Sequence, residues 1–600
     1  MMPIKEDILR DLNYGDMLCT PGWDVEFAVG TTYSLDLRSL LIVPYSLGMF
    51  GDLSGQVKQS SLFILESIRR STEHFVVFCQ RGGIHMPKET QAYYPLLEDA
   101  IVEVQDRKNH LSSFHPKLWV IRERNSEDGC QRLKVVIMSK NLVIDNNLDV
   151  VVNITGKINT SNSHNTKKHK PLHDFLERLS TYTTGQKRKQ ILQLAEDLYH
   201  VKAFEVDESR FEPEGYEFLP FFYGEQMNSN VRYPEDFQGT SVMTISPFIQ
   251  TSELNKINKR VRKNGERVLV TRSDYVTQEV FDLYKEGGSI WCMNDQMVNN
   301  NIAKIDLHAK SYMVVNPLKE SGIFLYLGSA NATGAAFCKN SEILLRLKLK
   351  RGQHVFDKFK SEFLQLNDED ESLVYEQLLE TVDTASDNEY SELEKWIRKL
   401  LTANFKASVA NGKVDSMYDV NVKVKFKKGD YKITISPLLA PSLEMRLEED
   451  MTFRNMPTHK LSEFYLLKAD DGIKPVNEVI KIPTKGIPKD RNDEIFRSIV
   501  DTKEKFYNYI SFMLCDDPEM FAMELSLATE QLDKTSTDGR QRKMPLRIYE
   551  QMLKLAASHP ERLTDLDDVM RIVKDKSFTK EFLGLFETVR PIIPKLKQLL

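Results

Sequence analysis

The sequence contains one short pattern of reactive side chains twice, in copies about two hundred residues apart. Each copy has a histidine with a lysine two residues later, then a Ser-x-Asn, and finally an asparagine two residues before an acid. The first copy comprises His115, Lys117, Ser139, Asn141, Asn147 and Asp149, and the second comprises His308, Lys310, Ser329, Asn331, Asn340 and Glu342. Together they supply two imidazoles, two ammonium groups and two amides, which are enough to bind a phosphodiester and cleave it without a metal ion.

Histidine suits phosphodiester cleavage because its pKa lies near neutrality, so it can attack phosphorus or protonate the leaving oxygen. In a strand, residues i and i+2 point to the same face, so the histidine and lysine of each copy are predicted to face one cavity. The asparagine amides can donate to a phosphate oxygen. An acid such as Asp149 or Glu342 can hold the second imidazole nitrogen and fix its tautomer, although Asp149 can equally be explained as a residue that binds a turn.

Short apolar runs around each copy predict an α/β fold. In the first third of the chain, strands are predicted at 40–46, 74–80, 100–105, 117–123, 133–139 and 148–156. The continuously apolar run at 74–80 predicts a sheet covered on both faces. The middle third repeats this order, with Pro247 in the place of Pro44, and matching landmarks are offset by 190 to 203 residues. Such self-similarity predicts a duplication into two lobes with the reactive residues at strand ends.

Length and pattern divide the chain into four predicted segments, because a single core stops growing near 250–300 residues. A first α/β lobe is expected over 1–156, a helical connector over 157–240 and a second α/β lobe over 241–350. The remainder, 351–600, is expected to be a mainly helical domain with a small β element, which regulates the protein or binds a partner.

Composition sets broad limits on function. The chain has 600 residues, of which 41% are hydrophobic and 28% charged, as in an ordinary globular protein. It has no run of about twenty apolar residues, and its charged N-terminus lacks a signal core, so we expect a cytoplasmic protein without a membrane span. Its six cysteines are scattered, which fits a reducing compartment and argues against a zinc site. We expect no cofactor and no metal ion.

The net charge of -6 neither requires nor excludes a nucleic-acid partner. Basic residues nevertheless cluster, most densely between Lys256 and Arg267, where only Glu266 opposes them. This cluster is the best candidate in the sequence for contacts with backbone phosphates. Its four candidate substrate-binding residues are Lys259, Arg260, Arg262 and Lys263.

The duplicated His-x-Lys…Ser-x-Asn motif resembles that of the phospholipase D superfamily over about residues 30–350. The family's pattern often continues with an aspartate five residues after the lysine, where this chain has Arg122 and Val315. It is therefore more similar to the tyrosyl-DNA phosphodiesterase and bacterial nuclease branches than to the lipid hydrolases. The first copy also departs from the pattern with Met138 where the second has Gly328, which predicts a tighter or less regular phosphate loop there.

The resemblance implies that the two lobes share one active site. One histidine attacks phosphorus and becomes a phosphohistidine, the other protonates the leaving group, and water releases the product. By this resemblance His115 is the nucleophile and His308 the general acid, with the reverse assignment left open. The implied phosphate-binding residues are Lys117, Lys310, Asn141 and Asn331, and the implied loop-supporting residues are Ser139 and Ser329. Glu342 is implied to orient the histidine of the second lobe, and Asp149 to be its counterpart in the first.

These residues favour a metal-independent nuclease or phosphodiesterase that acts on DNA, or on RNA. The resemblance further implies a role in phage defence or restriction beside a helicase or ATPase, which the C-terminal helices would dock. Two alternatives remain open. A phospholipid hydrolase would have a membrane-binding amphipathic face or a signal peptide, and neither is evident. A binding module without activity would not need both His-Lys pairs intact. A homo-oligomer is not required, because the two lobes can form one site within a single chain.

Overall fold

The computed structural model describes residues 17–18, 20–43, 61–145, 147–160, 166–227, 239–262, 264–294, 305–316, 322–350, 354–367, 371–380, 390–427, 429, 431–514, 548–558, 564–573 and 579–589. This part of the chain contains four β-sheets. Its helices pack on the sheets, and none of those described is long and apolar enough to cross a membrane.

The first sheet forms the core of the N-terminal lobe. The strands here are β1 (Trp23–Thr32), β2 (Phe75–Gln80), β3 (Ile84–His85), β4 (Ile101–Val104), β5 (Leu118–Asn125), β6 (Gln131–Met138) and β7 (Val151–Lys157). All but β3 form a six-stranded sheet in the order β4-β2-β1-β5-β6-β7. Along β2, Phe75 and Val77 enter one apolar core while Val76 and Phe78 enter another. The sheet is therefore covered on both faces, as its continuous apolar run predicted.

The second sheet repeats this arrangement. Its strands are β8 (Phe211–Phe222), β9 (Glu225–Gln226), β10 (Ser241–Ile245), β11 (Arg267–Thr271), β12 (Gly288–Met293), β13 (Ser311–Asn316), β14 (Gly322–Gly328), β15 (Glu342–Leu349) and β16 (Tyr375–Gln377). Six of them follow the order β12-β11-β10-β13-β14-β15, with the same parallel and antiparallel pairs as the first lobe. The structure therefore confirms the predicted α/β class and the duplication behind it.

The central strand of the first lobe is β1, and the strand predicted at 40–46 was wrong. Asp36 caps a short helix there, α1 (Leu37–Leu40), and residues 44–46 lie outside the described part. Pro44 and Pro247 are consequently not equivalent, because β1 and not 40–46 occupies the place of β10. The sequence concealed β1 because Asp24 and Glu26 interrupt its apolar run at the exposed end.

Helices cover the sheets of both lobes. They are α2 (Ser61–Ser71), α3 (Thr166–Ser180), α4 (Gly185–Tyr199), α5 (Thr251–Asn258), α6 (Gln278–Tyr284), α7 (Gly334–Cys338) and α8 (Val355–Leu364). The expected connector does contain two helices, α3 and α4, but it also contains β8, which pairs with β15. Similarly, β16 follows residue 350 yet pairs with β12. The second sheet thus extends past both predicted boundaries, because these two strands complete its edges.

The C-terminal region holds more β structure than the small element expected. Its strands are β17 (Lys406–Asn411), β18 (Met417–Lys423), β19 (Lys432–Pro437), β20 (Met445–Arg446), β21 (Asp450–Pro457), β22 (Phe464–Asp470), β23 (Val476–Lys481) and β24 (Thr484–Lys485). They form a four-stranded sheet, β21-β18-β17-β24, and a five-stranded sheet, β20-β19-β22-β23-β3. Polar residues alternate with apolar ones along β21 (DMTFRNMP), so no continuous apolar run marks that strand.

The remaining helices are α9 (Glu392–Leu401), α10 (Arg491–Ile499), α11 (Lys503–Leu514), α12 (Ile548–Ser558), α13 (Thr564–Val573) and α14 (Lys580–Val589). The last five of these helices agree with the mainly helical C-terminal domain that was expected. Apolar side chains of α10 to α14 share one core with the first lobe. Because β3 of that lobe pairs with β23, the C-terminal region is joined to the first lobe by a sheet as well as by a core.

A buried ion pair also joins these parts. Glu98 accepts hydrogen bonds from the Arg491 guanidinium at 2.6 Å, from Ser462 Oγ at 2.7 Å and from the Glu463 amide at 2.7 Å. Burial raises the pKa of Glu98, and Arg491 opposes that shift. The carboxylate therefore depends on Arg491 to remain charged in the interior.

We predict that Arg491→Ala lowers the free energy of unfolding by about 3–5 kcal/mol, because it leaves a buried carboxylate without its counter-charge. The midpoint of urea denaturation measures the loss. Lys505→Ala is the control, since it breaks an exposed ion pair with Asp501 and should cost no more than about 1 kcal/mol. Equal midpoint shifts for the two variants would contradict the prediction.

Candidate active site

The two motif histidines lie where the lobes meet, and each is anchored by the backbone of the other lobe. The His115 amide donates to the Ser341 carbonyl at 2.9 Å, and the His308 amide donates to the Leu148 carbonyl at 2.9 Å. Ser341 and Leu148 each immediately precede the acid of their own motif copy. Equivalent residues of the two lobes thus make equivalent contacts, so the junction has approximate two-fold symmetry and brings both motif copies into one site.

Each acid binds the histidine of the opposite lobe. His115 Nδ1 lies 2.9 Å from Glu342 Oε2, and His308 Nδ1 lies 2.7 Å from Asp149 Oδ1. The expected pairing, in which each acid orients the histidine of its own lobe, was therefore wrong. The cause is the backbone pairing across the junction, which delivers each acid to the other lobe's histidine. Neither lobe alone contains an oriented histidine.

The motif serines hold these acids. Ser139 Oγ donates to Asp149 Oδ1 at 2.6 Å, and Ser329 Oγ donates to Glu342 Oε2. Each serine oxygen also accepts the amide of the residue after the acid, Val150 or Ile343, at 2.9 Å. The serines thus support the loops as expected, and they also fix the carboxylate that orients each histidine.

Both motif lysines are fully buried. Lys117 Nζ lies 3.0 Å from His115 Nε2, while Lys310 Nζ donates to the His308 carbonyl at 2.6 Å. Burial and the charge of Lys310 hold the pKa of Lys117 well below its usual range. Burial lowers the pKa of Lys310 to about 7. An anion bound between these ammonium groups would relieve both shifts, which makes the centre of the site a place for a phosphate.

Burial lowers the pKa of both histidines to about 4, although each acid opposes the shift. Both rings are therefore neutral near pH 7. Because a carboxylate only accepts hydrogen bonds, the proton of each neutral ring is assigned to Nδ1, and Nε2 keeps its lone pair. Burial alone would raise the pKa of Asp149, but His308 holds it below its usual value. The site thus contains two neutral imidazoles, each with an available nitrogen.

The asparagines of the motif follow the serines in the loops after β6 and β14. The Ser34 amide approaches Asn141 Oδ1 at 3.4 Å. Asn331 Oδ1 is buried, and no described residue bonds to it. Asn340 holds the loop before His115, because its Oδ1 accepts the Ser113 amide at 2.9 Å.

No family model matches the chain, and no curated protein matches it. Among solved structures, it is similar to a mutant of yeast tyrosyl-DNA phosphodiesterase, with a TM-score of 0.33 and 13% identity over 56% of this chain and 83% of that one. It is also similar to phosphatidylserine synthase of Haemophilus influenzae, with a TM-score of 0.34 and 11% identity over 64% of this chain and 89% of that one. A third similar structure is polyphosphate kinase of Porphyromonas gingivalis, with a TM-score of 0.32 and 10% identity over 64% of this chain and 49% of that one.

The described chain is of the α/β class, with two lobes whose motif copies meet at one junction. Two lobes with one strand order, both motif copies at their junction and a shared set of histidines, lysines and acids are the features that the motif predicted. At such low TM-scores and identities, the chemistry of the site rests on its own geometry.

The predicted basic cluster lies away from this site. The Arg262 amide donates to the Gly239 carbonyl, and the Gly239 amide donates to the Arg260 carbonyl, before β10 begins. The site lies at the other end of β10, roughly 15 Å along the strand, because α5 runs back along β10. Lys259, Arg260 and Arg262 therefore do not line the site, and Lys263 lies outside the described residues.

Two site residues escaped prediction because they belong to no motif. Gln80 Oε1 accepts the Phe114 amide at 2.6 Å, and Arg272 Nε donates to the Leu307 carbonyl at 2.9 Å. Phe114 and Leu307 immediately precede the two histidines. Gln80 ends β2 and Arg272 follows β11, so equivalent positions of the duplicated sheet support equivalent residues. An alignment of the two lobes by strand order is the signal that identifies them.

A third residue, Arg398, comes from α9 in the C-terminal region. Its side chain donates to Ser113 Oγ at 2.8 Å and to the carbonyls of Ser112 and His110 at 3.2 Å. It also approaches the Tyr33 hydroxyl at 3.4 Å, and the Tyr33 ring lies 5.2 Å from the ring of His115. Arg398 thus clamps the loop that leads into His115.

We predict that Arg398→Gln accelerates amide hydrogen exchange in residues 109–115 by about ten- to a hundredfold, because the loop loses several hydrogen bonds to a charged group. Exchange monitored by mass spectrometry measures this effect. Lys395→Gln on the same helix is the matched control, since Lys395 pairs only with the exposed Glu392 among the described residues. Unchanged exchange in Arg398→Gln would show that the loop is held by other contacts.

Proposed function

We propose that this chain is a metal-independent phosphodiesterase that cleaves nucleic acid, DNA in the first instance, through a phosphohistidine. One observation carries the proposal: two neutral histidines from different lobes, each oriented through Nδ1 by a buried acid, lie together with two buried lysines. Such a set supplies a nucleophile, a second ring nitrogen that can take up a proton and pass it to the leaving oxygen, and positive charge for the phosphate.

In the first step the lone pair of His115 Nε2 attacks phosphorus, and the bond from phosphorus to the leaving oxygen breaks. His308, protonated at Nε2, gives its proton to that oxygen. In the second step His308 takes a proton from water, the water oxygen attacks phosphorus, and the bond to His115 breaks. The proton on His115 Nδ1 stays on that nitrogen, hydrogen-bonded to Glu342, throughout, so the ring gains and loses only the phosphoryl group.

The contact between Lys117 Nζ and His115 Nε2, 3.0 Å apart, supports His115 as the nucleophile. An ammonium donor at that nitrogen disfavours its protonation and preserves the lone pair. A phosphate oxygen can then replace the imidazole as the partner of Lys117. Both lysines donate to the backbone carbonyl of their own histidine, at 3.1 Å for Lys117 and 2.6 Å for Lys310. The described contacts differ in that Lys117 also reaches the ring nitrogen of its histidine.

The choice of nucleic acid rests on the motif itself. Arg122 and Val315 stand where the lipid-hydrolase pattern has an aspartate, and Arg122 instead forms ion pairs with Glu26 and Asp197. The chain thereby resembles the branch that acts on nucleic acids.

We predict that the pure protein cleaves single-stranded DNA in excess EDTA, and that His115→Asn and His308→Asn each reduce the rate by at least about a thousandfold. Gel analysis of labelled DNA measures this. With an activated aryl phosphodiester, whose leaving group needs no proton, His308→Asn should still release one burst of product, whereas His115→Asn should release none. That difference assigns the nucleophile.

His354→Asn, at an exposed histidine outside the site, is the matched control and should retain full activity. Cleavage abolished by EDTA would contradict the metal-free chemistry. Hydrolysis of phosphatidylcholine vesicles without cleavage of DNA or RNA would show that the protein is a lipid hydrolase and not a nuclease.

We further predict that kcat/KM for an oligonucleotide rises as pH falls from about 8 towards about 4. His308 must carry a proton in the first step, and burial lowers its pKa to about 4. The rise should be steeper above pH 7, since the pKa of Lys310 is lowered to about 7 and its ammonium charge is lost there. Lys310→Arg should remove the steeper part, because arginine stays charged. A pH-independent kcat/KM would exclude His308 as the acid.

A further inference from the structure

A second cleft lies in the C-terminal region, beside the helix that reaches the active site. It has a volume of about 430 Å³ and is formed by α9 and the segment that follows β18. Its charged and aromatic lining residues are Trp396, Lys399, Lys425, Phe426 and Lys427. Leu400, Thr402 and Ala403 complete the wall. The cleft therefore combines aromatic faces with three cations, and none of the described residues that line it is acidic.

The three lysines of this cleft are exposed, and among the described residues none forms an ion pair. Unpaired cations on one wall attract an anionic ligand, and a ligand with several charges gains from all three. The two aromatic side chains argue against a simple ion as that ligand, because a small anion would leave them unused.

Trp396 is held rigidly at the wall of the cleft. Its ring packs at a steep angle against Tyr431, with centroids 5.8 Å apart. Gly429 lies against the ring so closely that a β-carbon there would be 2.5 Å from Nε1. An indole fixed in this way is a preformed surface for a flat ring, because stacking then costs little side-chain entropy.

The cleft and the active site share helix α9. Trp396 and Lys399 face the cleft, while Arg398 reaches the loop before His115. Burial lowers the pKa of His110 in that loop, and the positive charges of Lys399 and Arg398 add to the shift. The helix begins at a complete capping box, Ser391 with Glu394, which fixes its start next to Tyr390 and the site. A ligand in the cleft therefore lies within a few residues of the active-site loop.

We propose that this cleft binds single-stranded nucleic acid, with a base stacked on Trp396 and backbone phosphates at Lys399, Lys425 and Lys427. Alternating flat rings and phosphates match aromatic and cationic groups side by side. A duplex hides its base faces, so it would not use Trp396. The proposal rests on the proposed function in that a strand held here is the one delivered to the phosphodiesterase site.

Binding is tested with full-length protein carrying His308→Asn, in EDTA, so that turnover does not interfere. The probe is a fluorescein-labelled oligothymidylate, followed by anisotropy at several salt concentrations. In this background the triple variant Lys399→Gln, Lys425→Gln, Lys427→Gln should bind at least about tenfold more weakly, and the slope of log affinity against log salt should fall by about 2. The control triple variant Lys413→Gln, Lys474→Gln, Lys489→Gln makes the same charge change at exposed lysines elsewhere and should bind as the parent does.

Tryptophan fluorescence locates the ligand independently. Of the four tryptophans, Trp119 and Trp291 are buried and Trp23 is covered by Arg132, so a base stacked on Trp396 should account for the quenching by unlabelled oligothymidylate. Trp396→Phe should abolish the quenching while keeping most of the affinity. Equal affinities of the two triple variants, or quenching that persists in Trp396→Phe, would overturn the proposal. Equal quenching by polyglutamate would show that the ligand of the cleft is an acidic peptide and not nucleic acid.

The two proposals fail separately. If the wild-type protein cleaves no phosphodiester but the quenching and the lysine effect are present, the cleft is a nucleic-acid site and the proposed activity is wrong. If DNA is cleaved but oligothymidylate does not quench Trp396, the proposed activity is right and the cleft does not hold the strand that is delivered to the active site.

Discussion

The structure depends on two contacts in which the acid of each lobe binds the histidine of the other lobe. The side chains of Asp149 and Glu342 are fully buried, and each accepts hydrogen bonds from the histidine of the opposite lobe and the serine of its own. A buried carboxylate without such partners would be several kcal/mol less favourable. The same contacts therefore hold the lobes together and orient the imidazoles. Docking of the lobes and assembly of the site are therefore one event.

The symmetry of the site is approximate, and its departures distinguish the two halves. Gln80 supports the residue before His115, whereas the charged Arg272 supports the residue before His308 and also pairs with Asp306. At the end of β14, Gly328 has φ of +152°, and a β-carbon there would lie 2.2 Å from the Ile343 carbonyl oxygen. The equivalent Met138 ends β6 without such a constraint. The second lobe thus brings its strands closer at the site, so two similar histidines acquire different surroundings.

The sequence predicted the parts of the site that depend on local geometry. The motif predicts side chains at strand ends, and its resemblance to a known family implies one shared site. The structure brings both copies together at the junction of the lobes. The partner of each acid could not be predicted, because it depends on how two lobes dock. The charge of the cluster around Lys259 predicted contacts with phosphates. Because α5 runs back along β10, the cluster lies at the end of the sheet away from the active site. Arg398 lies some 280 residues from the loop it binds, and no spacing connects them.

The C-terminal region is consequently part of the site and not only an appendage to it. Arg398 is buried, and its guanidinium lies over the ring of Tyr390, 4.5 Å from the centroid, while it binds the loop before His115. A charged group placed there must keep every hydrogen bond, since an unsatisfied buried guanidinium is costly. Any movement of α9 therefore changes the position of His115 or breaks these bonds. The lobes provide the reacting groups, and α9 determines whether one of them is correctly placed.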